Sequence, residues 1–296
     1  MAVKTVKYTF NGQVYTLTKN ASTGKYEATI TAPGKSSYNQ SGHKYGGSVT
    51  ATDEAGNSTT IDQTHSTLGS GLLLRVLEKV APTLAFTYPT AGAYITNAAP
   101  AIKFKVTDND SGVNPNTIII KVDNVAVTTD FTKTAVTGGY ECAYTPKTAL
   151  ADGQHTISIE ASDNDGNKAS AKTVTFTIDT IPPTLTVTNP SEGLITNKPS
   201  LVVSGKTDDA TSKPVSVTIN GTAVSVNTME HSARKLLLLV ALIQLLLSQQ
   251  IKQEKQRLVT RKVTLDTAAP VFKSATLTPN PVDCGKTFVI SVEVID

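Results

Sequence analysis

Short acidic turns carry the main metal-ligating potential of this sequence. Asp108-Asn109-Asp110-Ser111-Gly112 and Asp163-Asn164-Asp165-Gly166-Asn167 present carboxylate and amide oxygens at close spacing. Hard cations such as calcium take such oxygens, so Asp108, Asp110, Asp163 and Asp165 are the candidate metal ligands. Neither turn is followed by the bidentate Glu of a helix–loop–helix calcium loop. Asp, Asn and Gly also build turns unaided, through side-chain-to-backbone hydrogen bonds and tolerance of positive φ, and that is the preferred reading. Asp53, Asp179 and Asp266 carry the same two readings.

Other chemistry is sparse. His43, His65, His155 and His231 are scattered and share no metal-ligand spacing. Gly-x-Ser-x-Gly elbows and Gly-rich phosphate loops are absent, and no carboxylate pair is marked as acid and base. The expectation is a protein without catalytic residues and without a cofactor beyond the candidate calcium. Tyr38, His43 and Tyr45 lie in a Gly/Ser-rich polar stretch over residues 33–45 and are the candidate ligand contacts. Tyrosine buries contact area at modest entropic cost.

Composition narrows the class. The 296 residues hold 5% aromatic and 17% charged side chains, with a formal net charge of +3. So weak and scattered a charge offers no nucleic-acid footprint. Cys142 and Cys284 fall in different expected domains and cannot form a shared core disulfide. The N-terminus has no apolar signal core, so Sec-type export is not expected.

The elements that would position these residues are strands. Asn11-Gly12 supplies a tight hairpin turn after Tyr8-Thr9-Phe10. Strands are expected near Lys25 to Thr31, Gly46 to Thr52 and Leu72 to Val80. Ile102-Lys103-Phe104-Lys105-Val106 alternates apolar and polar, and Asp123-Asn124 separates two apolar runs as a second hairpin. About seven short strands over roughly a hundred residues is the spacing of a β-sandwich.

Two phrases recur. One is Ala51-Thr52-Asp53-Glu54-Ala55-Gly56-Asn57, repeated as Ala161-Ser162-Asp163-Asn164-Asp165-Gly166-Asn167. The other marks joints at Ala81-Pro82-Thr83-Leu84, Pro182-Pro183-Thr184-Leu185 and Ala269-Pro270-Val271-Phe272. The expected fold is all-β, with tandem immunoglobulin-like β-sandwich domains in an elongated array. The expected divisions are 1–79, a β domain; 80–181, a sandwich; 182–268, a sandwich; and 269–296, the start of a further domain. Each sandwich is expected to fold by itself, with proline restricting the backbone at the joints.

Residues 229–259 depart from this pattern. The apolar run Leu236 to Leu247 is followed by Gln249-Gln250-Ile251-Lys252-Gln253-Glu254. The run is too short to span a membrane. By propensity alone it is a good helix former. The favoured reading is a pair of compensating reading-frame changes. The shifted frame can spell a strand pair and a further Ala-Thr-Asp-Lys-Ala-Gly phrase, so the third domain would lack its last internal strands.

The joint and Asp-x-x-Gly-Asn phrases resemble the bacterial Ig-like repeat proteins of Gram-positive bacteria and their phages. The resemblance covers residues 81–296 apart from the segment just described, and in the first domain it covers only Ala51 to Asn57. It implies a non-enzymatic spacer or adhesion module that holds other domains away from a surface. The implied setting is a phage tail or virion-associated protein, or alternatively a bacterial cell-surface adhesin or stalk. Implied partners are host cell-surface polysaccharide or other tail and surface proteins, with no nucleic acid and no membrane span.

Overall fold

The computed structural model describes residues 2–127, 130–211, 216–224, 226, 232–237, 242–250 and 256–296. His231 lies outside them. The described chain is all-β apart from short 3-10 turns, and it divides into two compact units, Met1–Ile178 and Asp179–Asp296.

The first unit begins with a sheet in the strand order Tyr26–Glu27, Gln13–Lys19, Val3–Phe10, Tyr45–Asp53, Ser58–Asp62, with Leu73–Leu74 also pairing on Tyr45–Asp53. Asn11 and Gly12 both take positive φ, at 47° and 75°, as a type I′ hairpin requires. Only Val6 and Phe10 are fully buried apolar side chains of this sheet. The expected strands at Lys25 to Thr31 and Leu72 to Val80 contract to Tyr26–Glu27 and Leu73–Leu74. Beyond Leu74, residues 75–82 form no strand.

A two-layer sandwich completes the unit. One sheet orders Val125–Val127, Ile119–Val122, Gly153–Glu160, Lys172–Ile178 and Ala93–Ile95. The other orders Thr132–Val136, Gly139–Tyr144, Ile102–Thr107 and Thr83–Tyr88. Period-two alternation places Ile102, Phe104 and Val106 inward and Lys103 and Lys105 outward. They meet Ile120, Ile157, Ile159, Phe176 and Ile178 in one core. Cys142 joins it, and burial pushes its thiol up to about 11, which leaves it inert at neutral pH.

The second unit repeats the plan. One sheet orders Thr184–Asn189, Ser200–Asp208 and Ser232–Leu237. The other orders Leu194–Thr196, Gln256–Leu265, Leu242–Gln250, Ser216–Ile219 and Thr222–Val224. Leu185, Val187, Val203 and Ile219 form its buried cluster. Helix propensity does not decide the conformation of the Leu/Gln-rich segment. Ser232–Leu237 and Leu242–Gln250 are strands, paired with Ser200–Asp208 and Ser216–Ile219. Cross-strand pairing, on both sides of Leu242–Gln250, outweighs local propensity, which is a fraction of a kcal/mol per residue. Val271–Thr278 and Val289–Ile295 form a separate two-stranded hairpin whose side chains are exposed.

His155 ties the turn between two sandwich strands. Its Nδ1 lies 2.7 Å from Asp123 Oδ2 and its Nε2 lies 2.8 Å from the Ala151 carbonyl. Both ring nitrogens thus face acceptors, the arrangement of an imidazolium. Burial disfavours that charge, but the Ala151 carbonyl and the Asp123 carboxylate outweigh it, so the His155 pKa is raised above 6.5. Burial likewise opposes ionisation of Asp123, yet the Thr156 N–H and His155 win and its pKa falls below 3.8. The histidine contribution is complete below its unfolded value and is lost as pH rises through the folded one; the aspartate contribution is lost as pH falls through its own. Wild-type protein should therefore melt at a lower temperature at pH 9 than at pH 6. His155→Gln should flatten that dependence in scanning calorimetry and cost about 2 kcal/mol at pH 6.

Candidate functional site

The recurrent Asp-x-x-Gly-Asn phrase is a hydrogen-bonded turn. In the first sheet, Asn57 donates from its backbone N to Asp53 Oδ1 at 2.9 Å and from Nδ2 to Oδ2 at 3.0 Å. Asn167 does the same to Asp163, at 2.7 and 2.6 Å. Gly56 and Gly166 sit at φ 90° and 95°, which glycine takes without strain. The Asn57 side chain and backbone N–H hold Asp53 below the usual carboxylate range. The other acidic turn is closed by Asp108 Oδ1, which accepts from the N–H groups of Asp110 and Gly112 at 3.0 and 2.8 Å. Asn164 Nδ2 laces the two turns together by donating to the carbonyls of Ser111 and Gly112, both at 3.0 Å.

The four candidate aspartates therefore divide by role. Asp108 and Asp163 are buried and shape their own turns. Asp110 and Asp165 reach the first sheet's loops instead. Ser36 N–H lies 3.1 and 3.2 Å from the two Asp110 carboxylate oxygens, and Ser36 Oγ donates to Asp165 Oδ2 at 2.6 Å. Glu78 N–H donates to the same Asp165 oxygen at 3.0 Å. Asn39 Nδ2 donates to the Asp110 carbonyl at 2.6 Å, and Asn167 Nδ2 to the Glu78 carbonyl at 3.2 Å. Ser36 and Ser37 are buried in this seam.

Glu78 is the residue that sequence reasoning missed. Its Oε1 accepts from Ser111 N–H at 2.6 Å, and its carboxylate gathers with those of Asp108 and Asp163 so that one oxygen from each lies within 4.8 Å of the others. Burial pushes the Glu78 pKa up, and the charges of Asp108 and Asp110 push the same way, while Ser111 opposes them. The signal was available: Glu78 stands four residues before Pro82, as Asp179 does before Pro183 and Asp266 before Pro270. Asp179 is fully buried and accepts from Thr211 Oγ1 at 2.7 Å. Asp266 accepts from Ala268 N–H at 3.0 Å.

The proposed contact residues also separate. Tyr38 and His43 stack with ring centroids 4.3 Å apart, and His43 Nδ1 hydrogen-bonds the Tyr38 carbonyl. They line a groove of about 300 Å³ with Lys44, Arg75, Asn164 and Asp165. Tyr45 stands apart from that groove, edge-on to Phe10 at 6.1 Å, with its hydroxyl donating to the Lys35 carbonyl at 3.3 Å. His65 caps a turn by accepting from Thr67 and Leu68 N–H at 3.3 Å.

Residues 90–180 match the family model described as bacterial Ig-like domain. Residues 183–266 match the one described as glucodextranase, domain B. Bacillopeptidase F of Bacillus subtilis (strain 168) is 27% identical over 169 residues, which is 57% of this chain and 11% of that protein. Among solved structures, the fibronectin(III)-like modules of CbhA from Clostridium thermocellum align at TM-score 0.39 and 14% identity, over 62% of this chain and 94% of that one. An I-band fragment of titin aligns at 0.41 and 12%, over 89% and 88%. The chain carries Ig-like β-sandwich domains in tandem. Among the described residues no helix is long and apolar enough to cross a membrane.

Asp165→Ala should cost about 1–3 kcal/mol, because it leaves Ser36 Oγ and the Glu78 N–H without their acceptor. Urea melts should record the loss, and limited proteolysis should open first at residues 33–45.

Proposed function

We propose that this chain is a non-enzymatic spacer within a larger surface-exposed protein, holding partner domains at a distance and offering a loop groove for surface contact. The bonded seam between the first sheet and the sandwich is the observation that carries the reading. A hinge has no use for a buried serine fixed to carboxylates 74 and 129 residues away, whereas a spacer that transmits position does. The match to a small part of Bacillopeptidase F supports a module of a longer chain, and a bacterial cell-surface stalk is one such setting. The phage tail or virion-associated setting is the same mechanical role in another assembly.

The groove of Tyr38, His43, Lys44 and Arg75 favours an additional contact role. An aromatic stack beside cationic side chains suits a sugar polymer that carries carboxylate or phosphate groups. Two measurements test these roles. Deleting residues 179–296 should leave residues 1–178 folded and shorten the maximum dimension in small-angle scattering; loss of folding would contradict modular spacing. Arg75→Ala and Tyr38→Ala should each weaken binding to an acidic cell-wall polysaccharide at least tenfold in calorimetry, and no binding by the wild type would remove the contact role. Immunogold labelling of cells and of phage particles with antibody to this chain would separate the two settings.

A further inference from the structure

The two strands that follow Pro270 carry an apolar face that no described residue covers. Every residue of Val271–Thr278 and Val289–Ile295 is exposed. Their register pairs Phe272 with Val294, Ala275 with Val292 and Leu277 with Ile290. Directly paired residues share a face of the ladder, so these six apolar side chains line one side of the hairpin. Phe272 is 72% exposed and Ile290 is 64% exposed. Ser274, Thr276, Thr278, Ser291 and Glu293 fall on the other side, with Val271, Val289 and Ile295 at its ends.

The first sandwich shows what such a face is built to meet. There Thr83–Tyr88 follows Pro82 and pairs antiparallel with Ile102–Thr107, as Val271–Thr278 follows Pro270 and pairs with Val289–Ile295. Leu84 pairs with Val106 where Phe272 pairs with Val294. Ile102, Phe104 and Val106 therefore hold the places of Ile290, Val292 and Val294. All three are fully buried, packed with Ile120, Ile157, Ile159, Phe176 and Ile178 of the facing sheet. The hairpin presents the same pattern without a facing sheet. A two-stranded hairpin alone is marginal in water, and a contiguous apolar patch on it favours association.

We propose that this face docks on the same face of a second copy of the chain, so that two hairpins close into one two-layer sandwich. None of the six side chains is charged, so like faces meet without electrostatic repulsion. Each copy supplies what the other lacks, an apolar sheet layer, and a two-fold axis makes the contact self-complementary. The six side chains expose roughly 500 Å² in one copy, so the pair buries roughly 1,000 Å², at the lower bound for a specific contact. The dimer is accordingly weak and reversible. The inference goes beyond the spacer role, because it joins spacers in pairs, and it holds in either assembly.

The test is sedimentation velocity of the full chain over a concentration series. Monomer and dimer should exchange with a dissociation constant of about 10⁻⁶ to 10⁻⁴ M. Val292→Asp should raise that constant at least tenfold. Ser291→Asp, one residue along on the polar side, should leave it unchanged. Phe272→Ala adds no charge and keeps the ladder; it should also weaken the dimer, which covers the case in which Val292→Asp unfolds the hairpin. Dyes on Cys284 read the same exchange, since Cys284 is exposed whereas Cys142 is buried with its thiol pushed up to about 11. Energy transfer between donor- and acceptor-labelled copies should rise with concentration. A chain that stays monomeric at about 300 μM, above that range, would overturn the proposal. So would growth past two copies, a dimer that Val292→Asp and Phe272→Ala both leave intact, or one that Ser291→Asp breaks as strongly. None of these results bears on the folding of residues 1–178 or on the spacer role.

Discussion

The joint between the first sheet and the first sandwich depends on carboxylates accepting hydrogen bonds from a loop far away in sequence. Asp110 and Asp165 stand on the sandwich turns, and Ser36, Asn39 and Glu78 come to those turns. Charged acceptors make the Ser36 and Glu78 bonds stronger than a neutral pair would be, and burial of Ser36 keeps water from competing. The first sheet needs this support. With Val6 and Phe10 as its fully buried apolar residues, it has too little core to stand as firmly as the sandwich beside it.

The same turns perform two tasks, and that economy explains their composition. One aspartate of each turn folds back on its own backbone and fixes the loop; the other projects outward to the seam. Asp163 and Asp108 do the first, Asp165 and Asp110 the second. Asp53 in the first sheet performs only the first task. Its turn reads Glu54-Ala55 where the sandwich has Asn164-Asp165, so no carboxylate stands two residues on to reach a neighbour.

Much of the fold was legible in the chain. Alternation at Ile102 to Val106 and turn dipeptides at Asn11-Gly12 and Asp123-Asn124 set strands and hairpins that the structure keeps, because those signals are local. Asn220-Gly221, at φ 50° and 79°, closes a third hairpin of the same kind. The acidic turns were legible as turns. What could not be read was which loops they would meet, since Ser36 shares no local pattern with Asp165, and spacing alone does not reveal contact across 129 residues. Glu78 escaped for a related reason: it lies within Leu72 to Val80, which reads as a strand but of which only Leu73–Leu74 pair. The Leu-rich segment misled in the opposite direction. Its composition favours a helix, yet Leu242–Gln250 lies between two partner strands, whose ladders decide its conformation.

Native-state hydrogen exchange of the Ser36 and Glu78 amides tests the locked seam most directly. If the carboxylate bonds hold the first sheet to the sandwich, both amides should exchange at least a hundredfold more slowly than unstructured peptide, and both should speed up together in Asp165→Ala. Exchange at the free-peptide rate, while Ile157 and Ile159 in the core remain protected, would contradict the account.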